Sequence, residues 1–228
     1  RIQTSILNAA EKKTLIWLAE RQPSWVTSDT LTFVGFIGSI LIFAGFLLTN
    51  YSIYWLWLVI LGLVINWYGD SLDGTIARVR NTQRPIYGYY LDHTMDVINE
   101  MLMFVGIGLS PLVHLNIALF AFIFYLILTF NVSMNAHLKQ EFKLTYAKLG
   151  PTEFRLIVII ICLLFICVPS IRNYSRTHLI IGQYFTLTIF DYLAIIITAI
   201  LAIICLTAFI SDLNGYAKID PPKKFDKE

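Results

Sequence analysis

The chain has 228 residues, 57% of them hydrophobic and 14% charged, with a mean hydropathy of +0.68 and a formal net charge of +2. Soluble globular chains carry roughly 25% charged residues, so the bilayer is the expected solvent, and a balance this close to neutral gives no purchase for nucleic acid. The length fits a single domain.

In chain order, residues 2–20 come first. Ile2, Ile6, Leu7, Ala10, Ile16 and Trp17 recur at helical spacing beside Lys12 and Lys13, which predicts an amphipathic helix lying on the membrane surface. Residues 1–24 are therefore set apart as a juxtamembrane segment. They show no separate apolar core with a cleavage site, so insertion is expected to rely on the spans themselves. In "TSDTLT" (27–32), Asp29 or Thr30 is expected to cap the first span.

A span needs about twenty mostly apolar residues. Six runs qualify, at 31–49, 52–69, 93–110, 112–134, 154–171 and 186–210. The predicted fold is an all-α integral membrane bundle of six transmembrane helices, with a domain at 25–215 and a tail at 216–228. Cys162, Cys167 and Cys205 fall inside apolar runs without a CxxC pair and read as small core hydrophobes.

Fifteen of the 17 Lys and Arg residues fall in the N-terminal segment, the connections after the second and fourth spans, and the tail; Arg172 and Arg176 are the other two. By the positive-inside rule both termini and those two connections are cytoplasmic. Connections on the other side are short, with a longer one around 172–185, and leave no room for a folded domain.

The stretch "GDSLDGTIARVRNTQRPIYGYYLDHTMD" (69–96) lies on the cytoplasmic side and carries Asp70, Asp73, Asp92 and Asp96. Charges beside hydrocarbon are costly and call for a partner. If the second helix runs on to about Val79, Asp70, Asp73 and Ala77 share a stripe with Asn66. Arg84-Pro85 breaks the helix, and Asp92 and Asp96 start the next one, with Glu100 a turn deeper. Two carboxylate pairs on adjacent antiparallel helices can converge, and hard oxygen donors suit Mg²⁺, Mn²⁺ or Ca²⁺. Gly74, Ala77 and Gly88 allow close approach of a ligand, and Arg78 supplies a charge for a phosphate or holds a carboxylate. Together these residues point to a phosphorylated, nucleotide-like substrate.

The string Asp70-x2-Asp73-Gly74-x2-Ala77-Arg78-x9-Gly88-x3-Asp92-x3-Asp96 resembles the signature of the CDP-alcohol phosphotransferase family, with all eight signature residues in place. The resemblance implies six spans with a juxtamembrane helix, a homodimer, and transfer in which an alcohol displaces CMP from a CDP-linked substrate using two divalent ions, Mg²⁺ or Mn²⁺. It implies Asp70, Asp73 and Asp92 as metal ligands and Asp96 as ligand and general base. Gly74, Ala77 and Gly88 would line the CDP pocket, with Arg78 by the diphosphate.

Relatives carry Pro-Asn near the cytidine where this chain has Ser28-Asp29. His93, directly after Asp92, is similar to the Asp-His pair of the choline and ethanolamine branch, where the histidine activates the acceptor hydroxyl. That favours a CDP-amino alcohol donor and a diacylglycerol-like acceptor. The alternative is CDP-diacylglycerol with a polar alcohol or alcohol phosphate, for which Lys139, Lys143, Lys148 and Arg155 would hold the acceptor. Gly150-Pro151-Thr152-Glu153 reads as the start of the fifth helix, bringing Glu153 and Arg155 within reach of the site.

Two other readings compete. A divalent-cation channel or transporter would need acidic residues deep in the spans, and Glu100 is the one good candidate. An intramembrane prenyltransferase also uses aspartate-rich motifs, but on two separated loops rather than one connection.

Overall fold

The computed structural model describes residues 8–139, 151–180 and 182–222. The helices are α1 (Asn8–Glu20), α2 (Ser28–Leu48), α3 (Leu56–Val79, after a 3-10 turn at Ile53–Trp55), α4 (Pro85–Gly108), α5 (Leu115–Lys139), α6 (Pro151–Cys167) and the four-residue α7 (Pro169–Arg172). Strands β1 (Ser175–Ile180) and β2 (Gln183–Thr188) form an antiparallel hairpin ahead of the last helix, α8 (Ile189–Ile219).

Among the described residues, four helices are long and apolar enough to cross a membrane: α2, α3 with its leading turn, α5 over Leu115–Asn135, and α8. The chain is thus a mostly helical integral membrane protein. Asp92, Asp96 and Glu100 interrupt the apolar length of α4, and the described part of α6 is 17 residues long.

The α2–α3 pair is built on glycine. A methyl group on Gly69 would collide with the backbone of Gly35, and one on Gly38 with the backbone of Asn66. On Gly62 it would lie 2.7 Å from the Gly38 carbonyl oxygen. Small residues let helices in lipid meet backbone to backbone, where dispersion and polar contacts replace the hydrophobic effect as the source of cohesion. The buried Asn66 fits this seam, its Nδ2 donating to Gly35 O at 3.1 Å and Ser39 Oγ at 3.0 Å. A second apolar cluster closes the other half of the bundle. There Ile42, Phe46, Leu56 and Val59 meet Leu112, Val113, Cys162, Phe165 and Phe190.

Helix α1 packs on α3 through Leu15 and Ala19, which join Val26, Leu31, Leu72 and Ile76. The stripe expected to contact the membrane is therefore the outward one: Ala10 and Trp17 are exposed and Ile16 half-buried. Ile2, Ile6 and Leu7 lie outside the described residues. Glu11 ties the helix in, its Oε1 accepting from Trp67 Nε1 at 3.0 Å and Thr152 Oγ1 at 2.6 Å. Arg80 holds the α1–α2 connection by donating to the carbonyls of Gln22 (2.7 Å), Pro23 (3.0 Å) and Val26 (2.5 Å).

The structure corrects three expectations. The sixth apolar run, taken from 186, begins in β2, and the longer connection holds a hairpin rather than plain loop. The third helix starts at Pro85, so Gly88 and Asp92 are helical. Cys162 is buried as expected, but Cys167 is exposed and Cys205 intermediate. Outward-facing positions of a membrane helix are apolar too, so composition alone does not separate core from lipid.

Beside the hairpin, the fully buried Asp191 caps α8. Its carboxylate accepts from His114 N (2.8 Å), His114 Nδ1 (2.9 Å) and Thr188 N (2.8 Å). Thr188 Oγ1 bonds to Leu112 O at 2.5 Å, which fastens the hairpin to the α4–α5 connection.

Candidate active site

Helix α3 continues to Val79 as its sequence requires, carrying Asn66, Asp70, Asp73 and Ala77 along one stripe. Asn81 then takes a left-handed backbone (φ 55°), which asparagine tolerates better than most residues. Pro85 opens α4, where its missing N–H costs nothing because the first turn has no intrahelical acceptor. Two turns on, α4 presents Asp92, Met95, Asp96 and Asn99 at i, i+3, i+4 and i+7.

These residues face a shared pocket. Thr32 and Gly35 of α2 line it, with Asp70 and Asp73 of α3 and the α4 stripe. One carboxylate oxygen from each of Asp70, Asp92 and Asp96 comes within 4.8 Å of the others. Asp73 lines the same pocket but stands outside that trio. It is 7% exposed, its Oδ2 accepting from Thr32 Oγ1 at 2.7 Å and its Oδ1 from the Gly74 amide.

Arg155 of α6 reaches in across the bundle. Its Nη2 lies 2.6 Å from Asp70 Oδ2 and its Nε donates to Asn66 Oδ1 at 3.0 Å. Sequence reasoning brought Arg155 and Glu153 toward the site; the structure places Arg155 on Asp70 and buries Glu153 beside it in the first turn of α6. Lys139 ends α5, while Lys143 and Lys148 lie outside the described residues.

The remaining signature residues lie on α3 and α4 outside the set that lines the pocket. Arg78 Nη2 donates to Thr75 Oγ1 at 3.0 Å, and a Cβ on Gly74 would sit 3.4 Å from Arg78 Nη1. Ala77 is buried, whereas a Cβ on Gly88 would meet nothing within 4 Å. Gly88 is thus not required for packing among the described residues. Asp29 sits in the first turn of α2 and is bound by Arg84; the cap itself is Thr27, whose Oγ1 accepts from Thr30 N at 3.2 Å.

His93 stands one position off the pocket stripe. Its ring stacks on Tyr89 at 4.0 Å, with Nδ1 3.0 Å from the Tyr89 carbonyl and 3.8 Å from Asp92 Oδ2. A carbonyl only accepts, so in this contact Nδ1 carries the hydrogen.

Acceptors outnumber donors here. Asn99 Oδ1 and Glu100 Oε2 are buried without a hydrogen-bond partner, although native folds satisfy the great majority of buried polar atoms. An all-oxygen, acceptor-rich set of converging carboxylates fits hard divalent cations. Thr32 and Asn99 are the members to which the sequence did not point, whereas Asn66 was signalled by its position on the aspartate stripe and Arg155 by the start of its helix.

A family model described as CDP-alcohol phosphatidyltransferase matches residues 25–206. The chain belongs to that family. It is also similar to cholinephosphotransferase 1 of Xenopus laevis, at 31% identity over 108 residues. That stretch covers 44% of this chain and 26% of the relative's length.

Proposed function

We propose that the chain catalyses transfer of a substituted phosphate from a CDP-linked amino alcohol to the hydroxyl of a diacylglycerol-like lipid, releasing CMP. The observation that carries this reading is the convergence of Asp70, Asp92 and Asp96 inside the region that matches the family. Asp92-His93 and the likeness to a cholinephosphotransferase favour this donor over CDP-diacylglycerol.

In this reading Asp70, Asp73, Asp92 and Asp96 hold two divalent ions, Mg²⁺ or Mn²⁺. Bound there, such ions neutralise diphosphate charge and stabilise the attacking and leaving oxygens of an in-line displacement. Gly74, Ala77 and Gly88 leave room for the CDP moiety, with Arg78 on its diphosphate. A bond forms between the acceptor oxygen and the phosphorus of the transferred group, while the bond to the CMP oxygen breaks. The acceptor proton passes to a base. His93 fills that role through Nε2, with Asp96 as the neighbouring carboxylate. Arg155, counted for the rival acceptor-phosphate pocket, instead pairs with Asp70 and Asn66.

We assign α4 and α6 as the two spans that complete a six-helix bundle, with residues 25–215 as the domain, both termini and the pocket cytoplasmic, and a homodimer as the assembly. The deciding experiment is CMP release by detergent-purified protein over a panel of CDP donors and acceptors. Turnover of CDP-choline or CDP-ethanolamine with diacylglycerol supports the reading. Turnover of CDP-diacylglycerol alone overturns it, and cation flux without CMP release would favour a channel. Single cysteines at Asn50 and Lys223 should label from opposite sides of the membrane; labelling from one side would overturn the topology.

A further inference from the structure

Two side chains about one turn past Asp96 carry buried acceptor atoms, and the chemistry proposed above uses neither. Asn99 is 8% exposed, lines the carboxylate pocket, and leaves its amide oxygen without a partner. Glu100 lies one turn past Asp96 and leaves Oε2 buried and unpartnered, with the Tyr125 hydroxyl as its hydrogen-bonding neighbour. An ionisable group within a span is expensive and points to function. A buried acceptor without a donor costs free energy that a ligand's N–H can recover.

We infer that Asn99, Glu100 and Tyr125 form a subsite for the nitrogen of the amino alcohol, and that it selects a primary ammonium over a quaternary one. The inference rests on the proposed CDP-amino alcohol donor. Four residues of helix put Glu100 about 6 Å beyond Asp96, a separation that a two-carbon amino alcohol spans from its phosphate. A primary ammonium brings three N–H donors, enough for Asn99 Oδ1 and Glu100 Oε2 together. A trimethylammonium group carries the same charge with no donor. It would satisfy neither acceptor by hydrogen bonding and would add three methyl groups to a crowded pocket. Sites built around hydrogen bonds discriminate strongly against analogues that lack the donor, because the buried partner stays unpaired. The Tyr125 hydroxyl bonds Glu100, so it orients the carboxylate rather than choosing between the two cations.

The test compares kcat/KM for CDP-ethanolamine and CDP-choline, with diacylglycerol as acceptor, in the wild type and in Glu100→Gln, Asn99→Ala and Tyr125→Phe. The wild type should prefer CDP-ethanolamine by about 10-fold or more. Glu100→Gln and Asn99→Ala should raise KM for CDP-ethanolamine by about 10-fold or more, change kcat little, and narrow the preference. Tyr125→Phe, which keeps the ring, should leave the preference standing. An equal or reversed preference in the wild type would overturn the subsite while sparing the proposed reaction, and this readout needs no variant to fold. So would variants that lose kcat equally with both donors. No CMP release from either donor, with release from CDP-diacylglycerol, would overturn the reaction and the subsite together.

Discussion

Among the described residues, the carboxylate of Asp191 and those of the α3–α4 pocket are treated in opposite ways. Asp191 is fully buried and takes three hydrogen bonds within 2.9 Å from His114 and Thr188. Every donor comes from the fold itself, so the charge is compensated when the chain folds. At the α3–α4 pocket, Asp70, Asp92 and Asp96 crowd together, with Arg155 bound to Asp70 and further acceptors left orphaned beside them. The carboxylate that staples two segments arrives with its donors, whereas beside the pocket carboxylates two acceptors, Asn99 Oδ1 and Glu100 Oε2, are left without one. In the proposed reading the same residue type serves stability at one site and chemistry at the other.

The comparison breaks most readily at the pocket. Asp70→Asn, Asp73→Asn, Asp92→Asn and Asp96→Asn should each lower CMP release by on the order of 10³ or more. The thermal midpoints of Asp92→Asn and Asp96→Asn should stay level or rise, since they relieve like-charge repulsion, whereas that of Asp70→Asn, which weakens the Arg155 pair, should fall. EDTA should abolish activity and Mg²⁺ or Mn²⁺ restore it. Near-normal turnover in any two variants would end the shared-site reading.

A smaller loss is expected one position off the stripe. His93→Ala should cut kcat by on the order of 10²–10⁴ and leave donor KM nearly unchanged, while Lys139→Ala should do little. An acceptor KM raised by Lys139→Ala, with His93→Ala harmless, would move the acceptor to the rival pocket.

At Asp191 the expected sign reverses. Asp191→Ala strands the buried donors of His114 and Thr188 and should cost about 1–3 kcal/mol of stability, read as a lower thermal midpoint. Turnover per folded molecule should hold. A pure activity loss there would erase the distinction between the two ends.

The smallest effect belongs to Arg84→Ala. Its ion pair with Asp29 is solvent-exposed, with side chains 52% and 43% accessible. Exposed pairs contribute little, so neither midpoint nor turnover should move measurably.

The run of α3 to Val79, the break at Arg84-Pro85 and the meeting of Asp70 with Asp92 and Asp96 were all legible from spacing, because helical period and proline chemistry are local. Arg155 sits 85 positions from Asp70, and no period links residues so far apart. Thr32 and Asn99 were hidden for another reason: one lies among small residues of an apolar run, the other beside better-marked acids. The hairpin escaped because "QYFTLT" is apolar enough to continue into a span, and period two is indistinct over six residues. The Asp191 staple had its acid and histidine in plain view, but nothing in the sequence pairs position 114 with 191.

The glycine seam between α2 and α3 has a mechanical consequence. Where two helices touch through their backbones, there are few rotamers to change, and sliding one past the other brings main chain against main chain. Thr32, Gly35, Asp70 and Asp73 therefore travel as a single stiff plate. Opposite them, α6 meets that plate through Arg155, a long side chain bound to Asp70 and Asn66, which can swing and re-form. In the proposed reaction, breathing of the pocket as a substrate enters and CMP leaves would fall to the α6 side, against a wall built to hold still.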